Sequence, residues 1–159
     1  MPESIIAHTR EDGTIQTLPE HIEGVAHYCA LFLEHAGLPE LAPLGRLLAQ
    51  LHDVGKAQSP FQRYIRGESV AKAPHSAAGA LLATQLLPSL LKGNPLKRTR
   101  IAQLLAYAIS GHHRGLYDYI ELRKELEKKE IKERCTKTIG ALPIVDTRSL
   151  SWRLIVANV

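Results

Sequence analysis

Eight histidines occur among 159 residues, and their placement says more than their number. His52 lies four residues after Leu48 and eight after Leu44, so it continues the apolar stripe of a helix. His112 follows Ala108 by four and Leu105 by seven, and continues another. His21 sits four before Val25, at the edge of an apolar face, and His75 opens a helical stretch behind Pro74. Imidazoles from four segments are therefore aimed at one interior. A single inward histidine is more often a hydrogen-bonded core residue than a ligand. Several beside a carboxylate cannot satisfy one another, and an unsatisfied buried polar group costs free energy. One bound cation would satisfy them together.

The adjacent pair His52-Asp53 is the centre of this reading. Neighbours on a helix point about 100° apart. At a helix end both can reach one metal, and the two oxygens of Asp53 can bridge to a second. His112-His113 offers two adjacent nitrogens at another helix end. The donors are nitrogen and carboxylate oxygen without thiolate, which disfavours structural zinc. The set suits one or two divalent transition-metal ions, with Mn, Fe, Co or Ni favoured over Mg. Two such ions about 3.5–4 Å apart would clamp a phosphate and activate water near neutral pH. Lys56, four residues after His52, is a candidate for neutralising phosphate charge, with an ordinary surface lysine as the equal alternative. No P-loop and no Ser-His-Asp arrangement offers a rival chemistry.

These side chains need helices to carry them. Leu and Ala dominate the apolar set, and aromatics are 5% of the chain, a composition that favours helix. Residues 4–8 and 14–17 flank Asp12-Gly13, a turn signal that predicts a short N-terminal β-hairpin. Thr17 and Glu20 fit a capping box, with Pro19 in the first turn and Gly37 and Pro39 beyond the end. The second helix is expected over residues 43–54, with Leu44, Leu47, Leu48 and Leu51 as its buried stripe and Gly55 as its interruption. Ser59 and Pro60 read as the cap and first residue of a short helix ending at Arg66. Residues 67–74 read as a loop and 75–87 as a helix. Residues 90–99 read as a basic connector, followed by a helix over 100–110 that turns Ile101, Leu104, Leu105 and Ala108 inward. A charged helix over 119–137 carries the i, i+4 pairs Glu125–Lys129, Glu130–Arg134 and Glu133–Lys137. A last helix is expected to start near Ser149. The expected class is all-α, with the hairpin as its one β element, in a single domain.

The remaining composition sets bounds. Twenty basic residues against sixteen acidic ones give a net charge of +4, compatible with a polyanionic partner. Cys29 and Cys135 match no CxxC spacing and fit reduced thiols in a cytoplasmic protein. No apolar run nears the roughly 18 residues of a membrane span, and the first ten residues do not read as a signal peptide.

Four strings make the chain resemble a known family. They are AHTREDGTIQTLPEHIEGVA, LLAQLHDVGKAQSPFQRYIRG, PHSAAGALLA and AISGHHRGLYD, in this order over residues 7–118. Together they resemble the HD nuclease domain of the CRISPR-associated helicase-nuclease of type I systems. The resemblance implies an HD-domain helical bundle around one or two metals that cuts single-stranded DNA. Partners would be a helicase portion or subunit and a guide-RNA surveillance complex. His21 would be the first ligand, followed by His52 and Asp53, with Asp53 the bridge. His75, His112 and His113 would complete the second metal's shell, and Lys56 matches the family's lysine after the HD pair. His8 falls in a recurring string, AHT, to which no role is assigned. The family also carries a later aspartate near an Asp-rich string. SWRLIVANV resembles the approach to that string, and Asp146 is wrongly placed to substitute. The expectation is a domain truncated before that aspartate, with the His21, His52 and Asp53 half one carboxylate short.

The function expected is hydrolysis of phosphodiester bonds in single-stranded DNA, in the cytoplasm, during CRISPR interference. Arg114, beside the His pair, is the best candidate for binding the nucleic acid. Lys56, Arg63, Arg66, Lys92, Lys97, Arg98 and Arg100 could extend a basic path, and Tyr64, Tyr117 and Tyr119 could stack on bases. One alternative is an HD phosphohydrolase acting on nucleotides or cyclic nucleotides. Another is a non-catalytic docking module.

Overall fold

A computed structural model describes residues 4–133 apart from positions 72, 92, 114 and 117. Lys92, Arg114, Tyr117, Cys135, Asp146, residues 134–137 of the expected charged helix and the helix expected from Ser149 lie outside the described residues.

Strands β1 (Ile6–Thr9) and β2 (Ile15–Thr17) form the expected antiparallel hairpin. Asp12 Oδ1 accepts the Thr14 N–H at 2.8 Å, and Gly13 takes the left-handed φ of 83° that closes the turn. The register shifts between Ile6 and His8, a bulge on β1. It lets Ile6 and Ala7 both bury, although neighbours on a regular strand face opposite ways.

Helix α1 (Leu18–His35) begins where the capping box places it. Thr17 Oγ1 accepts the Glu20 N–H, and Glu20 Oε2 accepts the Thr17 N–H at 2.9 Å. Leu18, Ile22, Ala26 and Ala30 recur every four residues and are its buried face. A single 3₁₀ turn leads to α2 (Ala42–His52), and a second one, Val54–Ala57, follows Asp53 directly. Then come α3 (Ser59–Ile65), α4 (Ser76–Leu90), α5 (Pro95–Gly111) and α6 (Tyr119–Glu127).

The main core lies between α2, α4, α5 and α6, with Leu47, Leu82, Leu87 and Ile109 fully buried. Each such side chain contributes about 1.5–3 kcal/mol of transfer free energy. Ala78, Ala80, Ala83, Ala102 and Ala106 keep α4 and α5 close. A smaller cluster of Ala7, Leu18 and Ile22 joins the hairpin to α1. Gln62 then ties three elements together. Its Nε2 donates to the carbonyls of Ile6 (2.8 Å) and Lys56 (2.7 Å), and its Oε1 accepts the Ile6 N–H (2.9 Å).

The all-α bundle with its hairpin matches the expectation from sequence, and four local features differ. Gln58, not Ser59, is the N-cap residue of α3. Residues 95–99 belong to α5, because Asn94 caps it through the Leu96 N–H at 2.8 Å and Pro95 fits the first turn, where a missing N–H costs nothing. Leu104 is 69% exposed, and the buried face of α5 is Ala102, Leu105, Ala106 and Ile109 instead. Helix α6 is interrupted at Lys128, which turns back to pair with Glu125 at 2.5 Å in place of the expected Glu125–Lys129 pair, and residues 129–133 are helical again. Among the described residues, no helix is long and apolar enough to cross a membrane.

Candidate metal centre

Four elements deliver the side chains. The α1 cap sets His21 in the first turn of its helix. His52 is the last residue of α2, and Asp53 is its C-cap, with φ −113° and ψ 10°. His75 is the N-cap residue of α4, and His112 is the C-cap of α5. Two glycines allow these ends to meet. A Cβ on Gly79 would lie 1.9 Å from the Leu51 carbonyl oxygen, and one on Gly55 would lie 2.1 Å from that of His75. Both gaps are far below contact distance, so only glycine lets α4 begin against the end of α2.

Asp53 is 2% exposed and stands at the middle. Its Oδ2 faces His21 Nε2 at 2.9 Å, His52 Nε2 at 3.3 Å and Lys56 Nζ at 2.8 Å. Its Oδ1 faces His75 Nε2 at 3.1 Å and His112 Nε2 at 3.3 Å. His113 Nε2 is 2.8 Å from His75 Nε2. All six expected ligands and Lys56 therefore converge, and the carboxylate divides them into two groups.

The tautomers of two rings follow from their backbone partners. His52 Nδ1 is 2.6 Å from the Ala49 carbonyl, and His112 Nδ1 is 2.5 Å from that of Ile109. A carbonyl only accepts, so both Nδ1 atoms carry the proton. In the neutral rings each Nε2 then turns a lone pair toward a carboxylate oxygen. Two acceptors at that distance repel unless a proton or a metal ion lies between them. Imidazole anchored through Nδ1–H to a carbonyl is the arrangement that orients metal-binding histidines.

Asp53 Oδ1 supplies the test of whether a metal fits. It is buried and makes no hydrogen bond, although two imidazole nitrogens stand near it. An orphaned carboxylate oxygen in such a place is costly. The donor atoms of Asp53, His75, His112 and His113 all lie within 4.8 Å of one another. On the other face, Asp53 Oδ2, His21 Nε2 and His52 Nε2 form a triangle with sides of 2.9, 3.2 and 3.3 Å. Ligands about 2.1 Å from one ion stand roughly 3.0–3.4 Å apart. Both faces have the donor chemistry and the spacing of a divalent metal site.

Electrostatics agree with this. Burial alone would raise the Asp53 carboxyl, but the imidazoles of His112, His21, His52 and His75 hold it far below the usual carboxylate range. For His112, burial pushes the imidazole down, and the adjacent Asp53 carboxylate and the Ile109 carbonyl outweigh it and raise it. His113 is lowered by burial and by the neighbouring His112 and His75.

One member was not assigned from sequence. His8 stands on β1 beyond the bulge, and its Nε2 lies 3.0 Å from Lys56 Nζ. Its ring is edge-on to His21 with centroids 4.7 Å apart. Together with His21 and Asp53 it forms a second group of clustered donors. The recurring AHT string was its only signal, since strand bulges leave no periodic trace. Lys56 is also more deeply placed than expected. It is 2% exposed, 2.8 Å from Asp53 Oδ2 and over the Phe61 ring at 5.7 Å.

The expected basic path is less uniform. Arg66 donates to the Ser4 carbonyl at 2.7 Å, and Arg98 to that of Leu91 at 3.3 Å, so both have structural duties. Arg63 is exposed on α3, and Lys97 and Arg100 are exposed on α5. Tyr64 is half-buried beside Phe61, and Tyr119 is 41% exposed.

A protein-family model described as Cas3, HD domain matches residues 7–155. No curated protein and no solved structure matches the chain.

Proposed function

The chain belongs to the Cas3 HD-domain family, and on that footing we propose that it is a metal-dependent nuclease that hydrolyses phosphodiester bonds of single-stranded DNA. The observation that carries the reading is Asp53, whose two buried oxygens each face their own set of imidazoles, with Oδ1 making no hydrogen bond. His75, His112, His113 and Asp53 would hold one divalent ion, and His21, His52 and Asp53 would hold another. When bound, such an ion polarises a phosphate oxygen and acidifies water.

The protein's own groups do the rest. The carbonyls of Ala49 and Ile109 lock His52 and His112 in one tautomer and orientation. Asp53 stays ionised, so both of its oxygens remain donors to an ion. His112 and His113 are exposed as residues at the end of α5, so the site opens to solvent on the Oδ1 side. An open rim of this kind suits a polymer backbone. Exposed Arg63 and Arg100, with Arg114 next to the His pair, are the groups we assign to strand binding.

We also place the chain, as one HD domain, beside a helicase portion or subunit and a guide-RNA surveillance complex. Mn²⁺, Fe²⁺, Co²⁺ and Ni²⁺ are the favoured ions, by the nitrogen-rich donor set. The test is cleavage of circular single-stranded DNA by purified protein with Mn²⁺. Cleavage that disappears with chelator and with Asp53→Ala supports the reading. Unchanged cleavage by Asp53→Ala would sink it.

A further inference from the structure

Among the described residues, the two faces of Asp53 differ in charge. On the Oδ2 face an ammonium is present as part of the chain: Lys56 Nζ, 2.8 Å from Oδ2. Lys56 has almost no exposure, so it does not gain its stability from water. It is held by Asp53, by the Phe61 ring at 5.7 Å and by His8 Nε2 at 3.0 Å. An ammonium can only donate, so His8 Nε2 accepts. The β1 bulge, fastened to α3 and the 3₁₀ turn through Gln62, is what sets His8 there. On the Oδ1 face no lysine or arginine approaches Asp53 among the described ion pairs.

A divalent ion in the triangle of His21, His52 and Asp53 Oδ2 would share that oxygen with the Lys56 ammonium. Two cations a few ångströms apart in a site of low effective dielectric repel strongly. We propose that Lys56 is an internal counter-cation that competes with metal for the Oδ2 face, and that His8 is the positioning residue that keeps it there. The chain then binds one ion tightly on the Oδ1 face and a second one weakly. This rests on the metal-centre reading above and adds to it which residues set the ion count.

Equilibrium dialysis of the full chain against Mn²⁺ alone, with the bound metal quantified, tests this without using activity. The wild type is expected to hold one tight ion. Lys56→Met is expected to hold two, with the second bound at least about tenfold more tightly than in the wild type, because a unit charge roughly 4 Å from a dication is worth more than a decade in affinity. His8→Ala frees the ammonium and is expected to tighten the second ion in the same direction, while His8→Gln, whose amide oxygen can still accept, is expected to stay like the wild type. The sign at His8 is decisive. If His8 were itself a metal ligand, His8→Ala would weaken the second ion, and that result overturns the proposal. So does a folded Lys56→Met variant, judged by circular dichroism and thermal melting, that still takes up one ion with the second no tighter. In either case the Oδ1 ion and the nuclease reading survive. If neither wild type nor Lys56→Met binds Mn²⁺, both this proposal and the metal-dependent reading are overturned.

Discussion

Asp53 presents one carboxylate to two environments. Toward Oδ1 there are imidazoles from α4 and α5 and, among the described residues, no ammonium, and the oxygen is left without a hydrogen bond. Toward Oδ2 there are imidazoles from α1 and α2, and an ammonium anchored from the hairpin. The first face is built on the main core, where α4 and α5 pack closely. The second is assembled across the smaller cluster that joins the hairpin to α1. The contrast teaches that donor spacing alone does not decide where an ion binds. The positive charge already stored in the site matters as much.

The most damaging change is the one that removes both faces. Asp53→Ala is expected to lower Mn²⁺ affinity by at least about a hundredfold and to abolish cleavage, since even outer-shell changes around a metal cost about 10–100-fold. Dialysis and a cleavage assay together check this. A variant that retains a tight ion would mean that the two faces do not share the carboxylate.

Next come changes confined to one face. His112→Ala is expected to remove the tight ion and leave a weak one, with a loss of about 10–100-fold in the affinity of the first ion. His21→Ala is expected to leave the tight ion nearly unchanged. Equal losses in the two variants would erase the distinction between the faces.

The pH dependence sharpens the same contrast. His112 is raised above its ordinary value of 6.5, so its proton stabilises the metal-free fold. That contribution is complete below about pH 6.5 and is lost as pH rises through the raised value. A metal must displace the same proton, so ion binding strengthens over the same interval. The rise in melting temperature caused by Mn²⁺ is therefore expected to grow from pH 6 to pH 8. A constant or shrinking rise would show that His112 does not exchange a proton for the ion.

Packing effects are smaller and act on both faces. Gly79→Ala would press a methyl group against the Leu51 carbonyl and is expected to cost about 1–3 kcal/mol in chemical denaturation, with weaker metal binding because the start of α4 must move. Thr17→Ala removes the α1 cap and is expected to cost about 1 kcal/mol, with the tight ion retained.

Much of the fold and the centre was legible in the sequence, for identifiable reasons. The Thr17–Glu20 box and the Asp12-Gly13 turn are local rules that the structure follows, and the α2 stripe is followed in part, with Leu47 and Leu51 buried and Leu44 and Leu48 half-buried against the core. The convergence of His21, His52 and His112 on Asp53 followed from helix ends in phase with apolar stripes, and that of His75 and His113 from a helix start behind Pro74 and from the adjacent pair at the end of α5. What was not legible depends on contacts between distant segments. The Leu104 side chain has the right spacing for an inward face, yet α4 packs one step around the helix, on Ala102, Ala106 and Ile109. Gly55 read as a helix breaker, whereas its larger role is to admit the His75 backbone. Lys56 read equally as a phosphate-neutralising group and as a surface lysine, because nothing local in the sequence buries it. His8 owes its position to a bulge and to Gln62, 54 residues away.

The most direct test of the account is where an ion sits. Crystals of the full chain grown with Mn²⁺ and measured for anomalous scattering should show a strong peak about 2.0–2.3 Å from Asp53 Oδ1 and from Nε2 of His75 and His112, and a weaker peak or none at Oδ2. A peak at Oδ2 alone, or ions bound only away from Asp53, would contradict it.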